Sequence, residues 1–215
     1  MKNIAIRVIR ATPFYHPIRI WSAKWRRARE VVAWERSGRP APVPHAVKQM
    51  ALLSFAQEYQ LRVFVETGTY FGDMVAAMTD HFDEIYSIEL SKEYYERARK
   101  RFKGLRHVHL VRGDSGKELE NIARQISQPA LFWLDAHYSG GSTARGNNDT
   151  PVFEELHAVL SSKGACGVII IDDARFFGRD PNYPSIDQLR DFVASIRPDL
   201  DFIVENDSVR ITPGR

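Results

Sequence analysis

The sequence has one cysteine, Cys166, in 215 residues. A lone thiol excludes an internal disulfide and any multi-cysteine metal site. It adjoins the apolar run "GVIII", so it reads as a buried structural thiol rather than a nucleophile. Also missing is any apolar run near the roughly 20 residues that a membrane span requires. The N-terminal stretch "MKNIAIRVIRATPFYHP" is broken by arginines every few residues, so no signal-peptide core forms. These absences point to a cytoplasmic chain. There is no internal repeat and no low-complexity tract, and the length suits one α/β domain with some surplus at an end.

A strong excess of one charge is missing from the chain as a whole, whose net charge is +3, but not from its parts. Residues 1–48 carry eleven Lys or Arg against Glu30 and Glu35, a net +9, which leaves the remainder at −6. The body therefore has no basic stripe, and specific nucleic-acid binding is not expected. In the basic arm Ile18, Trp21, Trp25, Ala28 and Val32 recur at spacings of three and four. This predicts a helix within 18–37 with these residues on one face and Lys24, Arg26, Arg27 and Arg29 around them. Trp34 lies in the same stretch. Such a helix suits a peripheral membrane surface, a partner or second copy of the chain, or a flap on its own domain. "SGRPAPVPH", residues 37–45, holds three prolines and reads as an extended linker. It separates an arm, 1–45, from the main domain, 46–215.

Beyond the linker a helix, "HAVKQMALLSFAQEYQ", leads into alternating strand and helix signals. The strands are "RVFVE", "IYSIE", "HVHLV", "LFWLD" and "GVIIID". The helices between them include "SKEYYERARKRF" with Ser91 as a candidate N-cap, one from Ser115, one opening at Thr150-Pro151, and "SIDQLRDFVASI" with a Ser185/Gln188 capping box. Apolar strands joined by helices of this length predict a parallel sheet covered on both faces. "DFIVE" and "SVRIT" are separated only by Asn206 and Asp207, too few residues for a crossover, so they predict an antiparallel hairpin. The expected fold is Rossmann-like: a doubly wound, mostly parallel seven-stranded sheet that closes on that hairpin.

Ligands of such sheets sit beyond the carboxyl ends of the strands, where the strand order reverses. Glu66, Glu89, Asp114, Asp135, Asp172 and Asp173 all end strands. So many acids on one edge repel one another unless a cation is bound, which makes a cationic cofactor or a metal a sensible occupant. In "RVFVETGTYFGD", Gly68 and Gly72 allow a tight turn, yet Tyr70 stands where a dinucleotide fingerprint has its middle glycine. Glu89 ends the next strand, where a carboxylate accepts ribose hydroxyls. The missing glycine, with Glu66 and Asp73 present, argues against a pyrophosphate cofactor and a nicotinamide oxidoreductase. S-adenosylmethionine carries an ammonium and a sulfonium and no phosphate, and it suits the acidic loop.

These residues resemble the class I S-adenosylmethionine-dependent methyltransferases over roughly residues 46–212. The form E-x-G-x-Y-x-G in "ETGTYFG" is similar to the loop of the metal-dependent O-methyltransferases of the catechol and caffeoyl-CoA type, in which Tyr70 belongs to the motif. The resemblance implies that Glu66, Gly68, Tyr70 and Gly72 line the methionine part of the cofactor, Glu89 the ribose, and Asp114 with Ser115 the adenine.

Asp135 in "WLDAHYSGG" and Asp172 and Asp173 in "IIIDDARFFG" end neighbouring strands, about 5 Å apart. Three carboxylates can thus meet on one hard cation, Mg²⁺ or else Mn²⁺ or Ca²⁺. The same two segments resemble the metal-binding segments of those O-methyltransferases, with Asp173 in place of an asparagine. Where the relatives carry a catalytic lysine this chain has Tyr138, so His137 or Tyr138 serves as base, or the metal alone activates the hydroxyl; His137 is favoured because imidazole titrates near neutral pH. Residues 136–149, rich in Gly, Ser and Asn, predict a loop closing over the acceptor, with Arg145 available to an anionic group. "DPNYP" is similar to the D-P-P-Y motif of amino-group methyltransferases but follows the wrong strand. The expectation is metal-assisted O-methylation of a small hydroxylated acceptor: a sugar, polyol or phenol. A metal-independent methyltransferase of the same fold and a non-catalytic binding module are the alternatives.

Overall fold

A computed structural model describes residues 28–135, 151–162 and 164–214. The chain divides into two units, Met1–Lys48 and Gln49–Arg215. The elements run α1 (His45–Glu58), β1 (Val63–Thr67), α2 (Asp73–Met78), β2 (Glu84–Glu89), α3 (Lys92–Arg101), β3 (Val108–Arg112), α4 (Ser115–Gln125) and β4 (Ala130–Leu134). They continue with α5 (Val152–Leu160), β5 (Cys166–Ile171), a short 3-10 turn (Ala174–Phe176), α6 (Ile186–Ile196), β6 (Leu200–Glu205) and β7 (Ser208–Pro213). The sheet order is β3-β2-β1-β4-β5-β7-β6. All pairings are parallel except β5 with β7 and β7 with β6.

The alternation of side chains along each central strand builds two cores. Val63, Val65, Phe132, Leu134, Ile169 and Ile171 face one side, where Leu119 and Ile122 of α4, Leu156 and Val159 of α5, and Leu189 and Val193 of α6 meet them. Phe64, Leu131, Trp133, Val168 and Ile170 face the other, against Leu52 of α1, Val75 and Met78 of α2 and Ala98 of α3. Because β1, β4 and β5 are covered on both faces, nearly every residue in them is buried. That is why their sequences are continuous apolar runs rather than alternating ones.

The hairpin forms as expected. Asn206 and Asp207 take left-handed φ angles of 49° and 56°, the two-residue turn whose twist matches that of the strands. The Ser185/Gln188 capping box is present in both directions. Two other helix starts also fall where expected, at Ser91 and Ser115. Ser91 occupies the N-cap of α3 without a side-chain cap bond, and α4 is capped by Asp114, whose carboxylate accepts from Gly116 N at 3.1 Å. The helix expected to open at Thr150-Pro151 has Pro151 as its N-cap and begins at Val152.

Between β4 and β5 the register shifts at Ala130/Leu131. A Cβ at Gly167 would lie 2.6 Å from Ala130 O and 3.0 Å from Ala130 N. Those are backbone atoms of a fully buried strand and cannot swing aside. Gly167→Ala should therefore lower stability by about 1–3 kcal/mol, seen as a lower denaturant midpoint at unchanged slope.

In the smaller unit residues 28–36 are helical, and the two described residues of the predicted apolar face are not the buried ones. Ala28 and Val32 are exposed, whereas Trp34 is buried, with Val31 half-buried one turn before it. The indole N–H of Trp34 reaches the carbonyl of Pro40 at 2.8 Å, so the proline-rich stretch holds that ring. Ile18, Trp21 and Trp25 lie outside the described residues. Among the described residues no helix is long and apolar enough to cross a membrane.

Candidate active site

The strand register sets the site. Thr67 pairs with Ile88 on one side and with Leu134 on the other, and Leu134 pairs with Ile171. The residues that follow, Glu89, Gly68, Asp135 and Asp172, therefore line up along the carboxyl edge. Asp135 N donates to Thr67 O at 3.2 Å and Asp172 N to Leu134 O at 3.1 Å, carrying the ladder one step past the strands. The chain leaves β1 toward β2 and returns at β4, so the order reverses between Gly68 and Asp135. That reversal opens a crevice at the strand ends.

On the β1 side the loop is shaped by three left-handed residues. Gly68 and Gly72 have φ of 87° and 75°, and Tyr70, between them, has 47°. A non-glycine residue in this region is uncommon and costs roughly 1–2 kcal/mol, so the tyrosine follows the path a glycine would take and bears strain to do so. Three contacts hold it there. Tyr70 N donates to Glu89 Oε2 at 2.7 Å, and the Tyr70 ring packs on Phe71 and Tyr94 at centroid distances of 3.9 and 4.8 Å. Arg101 of α3 donates to the Phe71 carbonyl and pairs with Asp73 at 2.7 Å, pinning the far side of the loop. Glu89 Oε1 accepts from Ser91 N at 2.7 Å. Each oxygen of this carboxylate has taken one N–H and keeps a second acceptor position.

Behind the loop sits Glu66, 2% exposed. Its Oε2 accepts from Ser87 Oγ at 3.2 Å, and Ser87 Oγ in turn lies 2.5 Å from Thr69 Oγ1. Burial, with Asp135, Glu89 and Asp73 nearby, pushes the Glu66 carboxyl well above the usual carboxylate range, against the opposing bond from Ser87. A cation in the crevice would favour its charged form.

On the other side of the crevice Asp135, Asp172 and Asp173 converge, each offering a carboxylate oxygen within 4.8 Å of the others. Asp172 and Asp173 are 6% and 5% exposed. An all-oxygen anionic set of this spacing fits a hard divalent cation and not a thiophilic one. Asp173 holds a left-handed φ of 59°, a conformation that Asp and Asn tolerate better than most residues. His137, Tyr138, Arg145 and the rest of 136–149 lie outside the described residues.

The fold recurs in solved structures. SAH-bound methyltransferase PaMTH1 of Podospora anserina superposes with a TM-score of 0.56 at 18% identity, over 86% of this chain and 88% of that one. The chain has the class I methyltransferase fold. The O-methyltransferase TomG of Streptomyces achromogenes, involved in tomaymycin synthesis and solved with SAM, gives 0.56 at 18% identity over 87% and 89%. An O-methyltransferase of Bacillus cereus in complex with SAH gives 0.56 at 15% identity over 86% and 90%. No protein-family model and no curated protein sequence matches the chain.

Set in the methyltransferase fold, two further groups stand at the edge that the sequence reading did not select. Glu155, in the first turn of α5, is 2% exposed and is bonded by the side chains of Ser115 and Thr67. Thr67 Oγ1 also accepts from Asp135 N at 3.2 Å, so Glu155 braces both the start of α4 and the strand end that carries Asp135. Burial pushes its carboxyl up to about 8. Its signal in the sequence is an acid on the apolar stripe Val152, Leu156, Val159, at helical spacing. The second is Arg175. Its Nη1 donates to Asp173 Oδ1 at 2.7 Å and to Asp207 Oδ2 of the hairpin turn, while its backbone N donates to Asp207 Oδ1 at 2.8 Å. The spacing D-D-x-R in "DDAR" was the available clue.

Proposed function

We propose that the protein is an S-adenosylmethionine-dependent methyltransferase that methylates an oxygen of a small hydroxylated acceptor, a sugar, polyol or phenol, with help from a divalent cation. The observation that carries this reading is the placement of two acidic sites on either side of one crevice in a methyltransferase fold. Glu66 and Glu89 flank the glycine loop, and Asp135, Asp172 and Asp173 face them across the strand reversal.

Glu89 would accept the ribose hydroxyls with its remaining acceptor positions, and Asp114 with Ser115 would border the adenine. Glu66, Gly68, Tyr70 and Gly72 would line the methionine end, where an ammonium relieves the repulsion among the acids. Asp135, Asp172 and Asp173 would hold Mg²⁺ or a similar cation. When bound, such an ion lowers the pKa of a coordinated hydroxyl and fixes the acceptor. A bound S-adenosylmethionine would supply the methyl group to the acceptor oxygen, the carbon–sulfur bond breaking with its electron pair left on sulfur. His137 is the proposed acceptor of the hydroxyl proton. The main gain comes from holding both partners in attack geometry.

Removing the carboxylate at the ribose position tests the cofactor half. Glu89→Ala should weaken S-adenosylhomocysteine binding by about 10–100-fold in calorimetry, since bonds to a charged group are worth roughly 1.5–3 kcal/mol each. Unchanged affinity would remove the ribose assignment. A metal-independent reading has one observation in its favour: Asp173 already pairs with a resident cation, Arg175. Turnover with and without EDTA separates the two readings.

A further inference from the structure

Arg175 is placed where it competes with any cation for Asp173. Its guanidinium lies between two carboxylates, with Asp173 and Asp207 only 8% and 3% exposed at their side chains. Its lower face rests on the Phe176 ring, 4.5 Å from the centroid. Asp173 thus accepts from the guanidinium through Oδ1 while also offering a carboxylate oxygen to the cluster with Asp135 and Asp172. Asp207 pulls the guanidinium the other way, toward the β6–β7 turn, and its own position is fixed by two bonds between backbone and turn. Ala174 N donates to Asp207 O at 2.9 Å, and Arg175 N donates to Asp207 Oδ1.

We propose that Arg175 is a resident counter-cation that sets the divalent-metal affinity of the Asp135–Asp172–Asp173 cluster, and that Asp207 tunes it by drawing the guanidinium away from Asp173. The inference rests on the metal-assisted reading above. Two effects of losing the guanidinium oppose each other. Loss of orientation at Asp173 would loosen the site. Loss of a positive charge only one carboxylate away from a doubly charged ion would tighten it, and at an effective dielectric near ~20 for partly buried pairs the charge term is the larger. The turn aspartate acts with the opposite sign. Without its charge the guanidinium belongs to Asp173 alone, and an entering cation meets a stronger competitor.

Binding of Mn²⁺ alone to the full-length protein, followed by electron paramagnetic resonance and by calorimetry at fixed ionic strength, tests this. Arg175→Gln should tighten Mn²⁺ binding by about tenfold, Asp207→Asn should weaken it by about threefold, and Arg175→Lys, which keeps the charge, should stay within about twofold of wild type. Thermal melts identify any variant that fails to fold, and if Arg175→Gln is lost this way the Asp207→Asn and Arg175→Lys pair decides. A purely architectural role moves Arg175→Gln and Asp207→Asn in the same direction, and that result overturns the proposal. If wild type binds Mn²⁺ but no variant changes its affinity, the proposal fails and the metal reading stands. If neither wild type nor Arg175→Gln binds Mn²⁺, both fail.

Discussion

If methyl transfer is metal-assisted as proposed, Asp172→Ala should lower it by about a thousandfold or more and leave S-adenosylhomocysteine binding at wild-type strength. The asymmetry follows from where the residue stands. Asp172 directly follows β5 and is joined through its backbone N–H to the Leu134 carbonyl, on the side of the strand reversal proposed for the acceptor. Glu66, Gly68 and Glu89 belong to β1, β2 and their loop, on the side proposed for the cofactor. Removing one of three carboxylates around a cation takes away most of its hold. A metal's stabilisation of a developing alkoxide is worth several kcal/mol, and roughly 4 kcal/mol corresponds to a factor of about a thousand. Asp172→Asn is the companion variant, since it keeps volume and one oxygen and should fall between wild type and alanine. The measurement is turnover on a panel of phenols, polyols and sugars with added Mg²⁺ or with EDTA, together with calorimetry of S-adenosylhomocysteine binding. Full activity in the alanine variant, or in wild type with EDTA, removes the metal from the mechanism.

Much of this arrangement is legible in the sequence because it is dictated locally. The central strands announce themselves by continuous apolar runs, the hairpin by a two-residue Asn-Asp turn, and the strand-end acids by their position directly after those runs. The convergence of Asp135 with Asp172 and Asp173 follows once β4 and β5 are neighbours. What the sequence hides depends on contacts between distant segments or on backbone detail. Nothing local says that Tyr70 occupies a left-handed conformation, because its strain is held by Glu89 and Tyr94, 19 and 24 residues further on. Nor does the turn pattern reveal that the Asp207 carboxylate reaches Arg175. For the arm, the described part of the face that periodicity selects, Ala28 and Val32, is exposed, whereas among the described residues of that helix Trp34 is buried, its indole N–H donating to the Pro40 carbonyl. Spacing within one helix cannot anticipate a bond made by the chain beyond its end.

Glu155→Gln should raise thermal and denaturant stability at pH 8–9 while changing it little near pH 4. The carboxyl of Glu155 is buried on α5 among Ser115, Thr67 and the acids Asp114 and Glu154, and burial lifts it from about 4.5 in the unfolded chain to about 8 in the folded one. A folded-state pKa above the unfolded value means that the folded protein binds the proton more tightly. The stability linked to that proton is fully present below pH 4.5 and is lost as the pH rises to about 8, at up to about 1.4 kcal/mol per pH unit for one group. Glutamine keeps the shape and an oxygen acceptor for the two hydroxyls and carries no titrating proton. Its stability curve should therefore lack this decline, with a gain over wild type on the order of 4 kcal/mol at the alkaline end. Glu66 is shifted in the same direction, so a residual slope of the same sign persists in the single variant. Denaturant titrations at intervals of one pH unit from 4 to 9 read this directly. Parallel curves for wild type and Glu155→Gln would mean that Glu155 is already ionised in the folded protein, and its bracing of Thr67 and Ser115 would then be that of a charged acceptor rather than a protonated one.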